Sequence, residues 1–153
     1  MIATLMEILQ TTLLARHAQH VVLVHFPIAL FITALVFDIA AQCNRKRRHG
    51  LANAAYYNLL VAAISTIPVF ASGILAWQLQ LDGEKLRGSL LEHLALGTVA
   101  SAMIWLTWWL RFRARRRNEA LPKYYFAIQL AAVMFVMLTG HLGGIVSGVT
   151  LPG

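Results

Sequence analysis

The chain has 153 residues, of which 59% are hydrophobic and 12% are charged, and its formal net charge is +7. A soluble domain of this length carries about a quarter charged residues, so the composition excludes an ordinary soluble enzyme and indicates one integral membrane domain over residues 1–153. The aromatic residues lie inside the apolar segments rather than among the basic residues, so we expect no nucleic acid as a partner.

Residues 2–15 form the first element that the sequence predicts. This segment is apolar but too short to cross a bilayer, and its hydrophobic residues recur at helical spacing, at Ile2, Leu5, Met6, Leu9 and Leu13. We predict an amphipathic helix that lies on the membrane surface or packs on a partner.

Four longer apolar segments follow, each of about 22 residues, which is enough to cross a bilayer at a rise of about 1.5 Å per residue. They cover residues 21–42, 55–77, 89–110 and 126–148. Short connections make neighbouring helices antiparallel. The sequence therefore predicts an all-α fold, a four-helix transmembrane bundle with up-down-up-down topology and a short N-terminal amphipathic helix.

The basic residues indicate how this bundle is oriented. Ten of the 13 lie in the loops after the first and third spans, namely Arg45, Lys46, Arg47, Arg48, Arg111, Arg113, Arg115, Arg116, Arg117 and Lys123. Basic loops stay on the cytoplasmic side, so both termini are predicted to face the periplasm or the equivalent outer compartment.

Two acidic residues in these segments have structural interpretations. Asp38 lies near the cytoplasmic end of the first span, where we expect it to pair with Arg45 or a neighbour; a proton-relay role is the alternative. Ser89 and Glu92 match a capping box that would fix the start of the third span.

Four of the six histidines lie in or at the edge of the spans: His20, His25, His93 and His141. Measured from the midpoints of the predicted spans, His25 and His93 are about 9 Å toward the outside, His141 about 6 Å, and His20 about 17 Å. Ionisable side chains inside a membrane are costly and usually functional, so this shared layer predicts a site on the periplasmic side. An interhelical hydrogen bond is the alternative role for each histidine.

A haem explains this pattern better than a bare metal ion. Histidine is a standard axial ligand of haem iron and four-helix bundles house haem, whereas zinc and copper sites usually recruit cysteine, carboxylate or methionine as well. No Cys-x-x-Cys-His motif is present, so the haem would be a non-covalent haem b. His25 and His93 lie on diagonal helices and are the preferred axial pair. His141 is an alternative ligand or a partner of a propionate or quinone. His20 is also a candidate cofactor-binding residue, since it lies near the outer surface, where haem propionates would emerge and need countercharge.

Small residues accompany these histidines. Gly140 and Gly144 flank His141 along one helical stripe, and Gly97 lies on the same face of the third span as His93. A flat macrocycle needs such room beside its ligands, although stripes of small residues also serve close helix packing.

Three motifs resemble a bacterial membrane family, domain-of-unknown-function family 2231. The first span opens with HVVLVHFPIAL (residues 20–30), the second ends with SGILAW (residues 72–77), and the fourth contains TGHLGG (residues 139–144). In some relatives this domain is joined to c-type cytochromes, so the resemblance implies electron transfer at the outer face of the bacterial inner membrane. Some relatives carry a further histidine after the last Gly-Gly, and its absence from residues 145–150 favours one haem over two.

The sequence thus predicts a multi-pass, b-type cytochrome-like subunit with metal ligands among His25, His93 and His141. It is an electron carrier or subunit rather than a stand-alone enzyme. Its expected partners are the lipid bilayer, a larger membrane complex or c-type cytochrome, and quinone. The alternative is a structural membrane subunit of a larger redox complex, whose histidines only form hydrogen bonds between helices. A metal transporter is a third hypothesis, weakened by the few candidate ligands in the cytoplasmic halves of the spans.

Overall fold

A computed structural model describes residues 16–80 and 87–146, with side chains from 19 to 78 and from 87 to 146. Four helices make up this part of the chain: α1 (Arg16–Cys43), α2 (Arg48–Gln80), α3 (Ser89–Arg117) and α4 (Tyr125–Val146). Each is long and apolar enough to cross a membrane. The prediction of four spanning helices is confirmed, whereas the amphipathic helix predicted at 2–15 lies outside the described residues.

The helix boundaries differ from the apolar segments, because polar residues extend the helices beyond the lipid-compatible stretch. Helix α3 continues through the basic residues to Arg117 and ends at Asn118, which adopts a left-handed conformation with φ of 54°. Its start differs from the predicted capping box. Gly88 is the N-cap and no side chain caps the helix; Ser89 is already helical, and the Glu92 N–H bonds to the Gly88 carbonyl.

The four helices form a ring in chain order. Extensive contacts join α1 to α2 and α3 to α4, and further contacts between α2 and α3 and between α1 and α4 close the ring. Helices α1 and α3 therefore face each other diagonally. The core between them consists of small and branched residues, among them Phe31, Ala34, Leu59, Ala62, Ala100, Ile104, Ala132 and Val136. The outer faces carry exposed apolar side chains, as expected for helices in contact with lipid.

Arginines of α3 stack on aromatic rings at the end of the bundle where that helix stops. The guanidinium of Arg115 lies 4.8 Å from the ring centre of Tyr56, and that of Arg113 lies 5.5 Å from the ring centre of Trp109. Arg115 also donates a hydrogen bond to the Asn53 side chain at 2.8 Å. These contacts hold the long basic side chains against the protein.

Candidate functional site

Two histidines meet across the diagonal of the bundle. The imidazoles of His20 on α1 and His93 on α3 have ring centroids 6.4 Å apart, and their planes are nearly perpendicular at 87°. Both residues are half-buried. We call this region, built around His20 and His93, the histidine end.

Each of these imidazoles is held by the next helix in the chain. His20 Nδ1 lies 2.9 Å from Ser72 Oγ on α2, and His93 Nδ1 lies 3.1 Å from the Thr139 carbonyl oxygen on α4. The Ser72 hydroxyl donates its own proton to the Val69 carbonyl at 2.8 Å, which leaves its oxygen to accept a hydrogen bond. Both acceptors match an Nδ1–H donor, and in a neutral imidazole with this tautomer the lone pair is on Nε2.

Glycines make room for both rings. A Cβ atom added at Gly73 on α2 would lie 3.1 Å from His20 Cε1, and one added at Gly143 on α4 would lie 3.0 Å from His93 Cε1. Contacts this short are tighter than nearly all real Cβ contacts. Glycine at these two positions allows the imidazoles to pack against the helix backbones.

The other two histidines of the predicted layer lie apart from this pair. His25 is exposed, and its Nδ1 bonds within its own helix to the Val21 carbonyl at 2.6 Å. His141 is exposed as well. The structure thus brings together His20 and His93, whereas sequence reasoning had preferred the pair His25 and His93.

The glycines predicted to flank a cofactor take part in helix packing. A Cβ atom at Gly97 would lie 3.5 Å from Thr139 Cγ2, and one at Gly140 would lie 4.0 Å from Ile28 Cδ1, which are ordinary van der Waals contacts. Gly144 is half-buried on α4. Gly97 and Gly140 therefore have room for a Cβ atom, in contrast to the crowded Gly73 and Gly143.

A second polar cluster lies five helical turns away, at the opposite end of the same diagonal. Asp38 of α1 forms an ion pair with Arg111 of α3, and both side chains are buried. The expectation that Asp38 pairs with Arg45 was therefore wrong. Helix α3 continues to Arg117, so Arg111 lies within the helix and not in a loop. Its side chain is buried in the core. We call this region the ion-pair end.

The remaining helices complete this cluster. Tyr125 of α4 donates to Asp38 at 3.0 Å and accepts from Arg111 at 3.2 Å, while Gln129 Nε2 donates to Asp38 at 3.2 Å. Arg111 also donates to the Ala52 carbonyl of α2 at 2.9 Å. Tyr125 and Gln129 are fully buried. A carboxylate with three donors and a guanidinium with three acceptors satisfy most of the buried charge, so this cluster links all four helices.

Sequence reasoning missed most of this cluster, although a signal for it exists. Asp38 follows His20 by 18 residues and Arg111 follows His93 by 18 residues, which is five helical turns and about 27 Å along one helix face. Tyr125 and Gln129 carry no comparable signal, because an isolated tyrosine or glutamine in an apolar segment is compatible with many environments.

No group of three or more histidine, cysteine, aspartate or glutamate side chains is arranged to hold a metal ion within residues 16–80 and 87–146. A bare ion that needs three or four protein ligands is therefore not served by the described residues. Two imidazoles are the number of protein ligands that a haem iron uses when both axial positions are filled, because the macrocycle supplies the other four nitrogens.

Four apolar helices, with a half-buried histidine pair at one end and a buried ion pair at the other, define a helical membrane protein. A family model described as a predicted membrane protein, domain-of-unknown-function family 2231, matches residues 16–149. The chain belongs to this family, as its motifs had indicated. No curated protein and no solved structure matches the chain.

Proposed function

We propose that this protein is a b-type cytochrome-like electron-transfer subunit of the bacterial inner membrane, which binds one non-covalent haem between His20 and His93 on the periplasmic side. The observation that carries the proposal is the meeting of two histidines on diagonal helices, 6.4 Å apart between ring centroids. A metal–nitrogen bond of about 2.0 Å gives two imidazoles on opposite sides of one metal a centroid separation of about 6.2 Å.

The hydrogen bonds of the two rings support the same assignment. Histidines that bind metals usually donate the other ring N–H to a carbonyl, carboxylate or similar acceptor, which fixes the ring and makes the ligating nitrogen more basic. His20 and His93 have this arrangement through Ser72 and Thr139, and the lone pair is on Nε2 in both. These two residues replace His25 and His93 as the proposed axial pair, because the exposed His25 points its Nδ1 back to its own helix.

The two imidazoles at this end fit the role of haem ligands. The space beside them for the macrocycle is limited. Gly73 of α2 and Gly143 of α4 already lie against the imidazoles, so a macrocycle between the rings would require α2 and α4 to stand farther from the two histidines than they do here. The residues that lie between the helices at this end are small, among them Ser72, Thr139 and Gly97. The ion-pair end holds all four helices together and leaves the histidine end as the place where the bundle can widen.

The proposed chemistry is one-electron transfer. A bound haem would supply one-electron chemistry there, and His20 and His93 would hold its iron. We propose that electrons pass between a periplasmic c-type cytochrome and quinone or another membrane subunit. His141, exposed on α4, is available to contact a propionate or quinone near the membrane surface.

A second candidate function is supported by the same hydrogen bonds. His20 bonds to Ser72 of α2 and His93 bonds to Thr139 of α4, so both histidines already join neighbouring helices. A structural subunit of a larger membrane complex would use the imidazoles in this way only, and it would be colourless when purified.

Visible absorption spectra of the detergent-purified protein, produced in haem-replete cells, test the proposal. We expect a Soret band and, after reduction, the sharp α and β bands of iron with two imidazole ligands. The His25→Ala variant is the matched control, since it removes an exposed histidine that bonds within its own helix and should keep the spectrum. A wild-type protein that remains colourless after haem is added would refute the proposal and favour the structural subunit.

A further inference from the structure

The buried positions of α1 and α3 follow the same pattern. Buried residues of α1 have a buried counterpart 73 residues later on α3, and the ion pair between Asp38 and Arg111 has this separation. The pairs are Pro27 and Ala100, Phe31 and Ile104, Ala34 and Thr107, Asp38 and Arg111, and Ala41 and Ala114. Helices α1 and α3 therefore present equivalent faces to the centre of the bundle.

Helices α2 and α4 repeat this relationship with a separation of 70 residues. The buried residues of α4 each have a buried counterpart on α2, as Ala55 and Tyr125, Leu59 and Gln129, Ala62 and Ala132, and Thr66 and Val136. The difference of three residues from the first separation falls in the connections between the helices. The hairpin α1–α2 thus corresponds to the hairpin α3–α4 along its whole length.

The contacts of the two histidines show both separations, 73 residues between α1 and α3 and 70 residues between α2 and α4. His20 and His93 are 73 residues apart, and the glycines against which they pack, Gly73 and Gly143, are 70 residues apart. From a Cβ atom added at each glycine, the distances to Cε1, Nδ1 and Nε2 are 3.1, 3.6 and 3.8 Å in the first hairpin and 3.0, 3.6 and 3.9 Å in the second. The two imidazoles therefore have the same position in their hairpins.

We infer that the molecule consists of two copies of one helical hairpin related by a pseudo-two-fold axis along the bundle, and that His20 and His93 are equivalent ligands, one from each hairpin, of a single metal centre on that axis. The ligand part rests on the proposed function. The equivalents of the other two histidines in the layer are exposed and not histidine: His25 corresponds to Thr98, and His141 corresponds to Ala71. Neither His25 nor His141 belongs to a symmetric pair.

The ion-pair end departs from this symmetry in its chemistry. Asp38 and Arg111 occupy equivalent positions with opposite charges, and the counterparts of Tyr125 and Gln129 are the apolar Ala55 and Leu59. Two equal charges on the axis would repel in a buried site, so a duplicated hairpin needs this difference to place an ion pair there. The histidine end has no such requirement, because one metal accepts two identical ligands.

The equivalence of the two histidines can be tested without any metal through their glycine partners. We expect Gly73→Ala and Gly143→Ala to lower the thermal unfolding midpoint of the detergent-solubilised protein by similar amounts, about 3 °C or more, since each Cβ meets an imidazole. Gly97→Ala and Gly140→Ala are the controls and should change the midpoint little, because their Cβ atoms make ordinary contacts. His20→Ala should relieve the effect of Gly73→Ala only, and His93→Ala that of Gly143→Ala only.

The equivalence would be overturned if the two histidine variants restored the unfolding midpoints of their glycine variants to different extents. It would also be overturned if either histidine variant restored the midpoint of the other hairpin's glycine variant. Both outcomes are independent of haem binding. Haem titration of the purified apoprotein then tests the ligand part. Loss of the two-imidazole spectrum to the same extent in His20→Ala and His93→Ala, with retention in His25→Ala, supports it. If wild type binds haem but either His20→Ala or His93→Ala keeps the wild-type spectrum, the ligand part fails and the haem is not held between these two residues, while haem binding and the electron-transfer role stand. If wild type binds no haem, the proposed function and the ligand part fail together, and the glycine variants alone decide the duplication.

Discussion

The two ends of the bundle differ in how they accommodate polar side chains between apolar helices. Both place a pair of polar side chains on the diagonal between α1 and α3, five turns apart. At the ion-pair end, opposite charges are surrounded by Tyr125, Gln129 and the Ala52 carbonyl, which together link all four helices. At the histidine end, two like residues each bond through Nδ1 to the next helix and pack against glycine. The comparison teaches that the first end is built to hold the helices together, whereas the second brings two imidazoles close to each other with fewer links between the helices.

Removing the Asp38 carboxylate should produce the largest difference in stability between the two ends. Asp38→Ala leaves Arg111 buried without its partner, and loss of one partner of a buried pair costs about 3–5 kcal/mol of unfolding free energy. Titration of the solubilised protein with a denaturing detergent measures the loss. The double variant Asp38→Ala/Arg111→Leu is the control and should regain much of it, because it leaves no unpaired charge. Equal stability of the single and double variants would contradict the role given to the ion pair.

Loss of the phenol hydroxyl weakens the same end less severely. Tyr125→Phe removes a donor to Asp38 and an acceptor for Arg111 while keeping the ring, and we expect a cost of about 1–3 kcal/mol in the same titration. Tyr124 is exposed on the adjacent turn, so Tyr124→Phe provides a matched control with little effect. A stability of Tyr125→Phe equal to that of this control would show that the hydroxyl is not part of the cluster.

The histidine end should respond differently when its hydrogen bond is removed. Ser72→Ala deletes the acceptor for His20 Nδ1, and we expect a loss of only about 1 kcal/mol of unfolding free energy. Under the proposed function, the same change lowers haem affinity by about 10- to 100-fold, because the support of a ligating histidine is lost. Haem titration measures this, with Ser65→Ala, a serine that bonds only to its own helix, as the control. A larger loss of stability than of affinity would assign Ser72 to helix packing.

The smallest effect is expected at the histidine that sequence reasoning had preferred. His25→Ala removes an exposed imidazole bonded within its own helix, so the unfolding free energy should change by no more than about 0.5 kcal/mol. The haem spectrum should also be retained. Disappearance of the spectrum in this variant, with normal stability, would restore His25 as a ligand.

The number and order of the helices were predictable because length and apolar composition are local properties of the chain. The relative heights of residues on different helices were not. From the predicted spans, His20 lay about 8 Å farther out than His93, yet the two rings are in contact. Apolar length sets where a helix enters the membrane only within a turn or two. Contacts such as that between Asp38 and Arg111 set the register, and these depend on residues that a single span does not reveal. Haem binding and the orientation in the membrane stay predictions.

The stacking of Arg113 on Trp109 and of Arg115 on Tyr56 has a consequence for how the protein is seated. The rings are amphipathic and favour the boundary between hydrocarbon and lipid headgroups, and the guanidiniums bound to them carry positive charge to the phosphate layer. Together these arginine and aromatic side chains fix the position of the bundle along the membrane normal. The depth of the two histidines, at the other end of the helices, is then set by these side chains and by the thickness of the bilayer. A thinner membrane would bring the histidines closer to water.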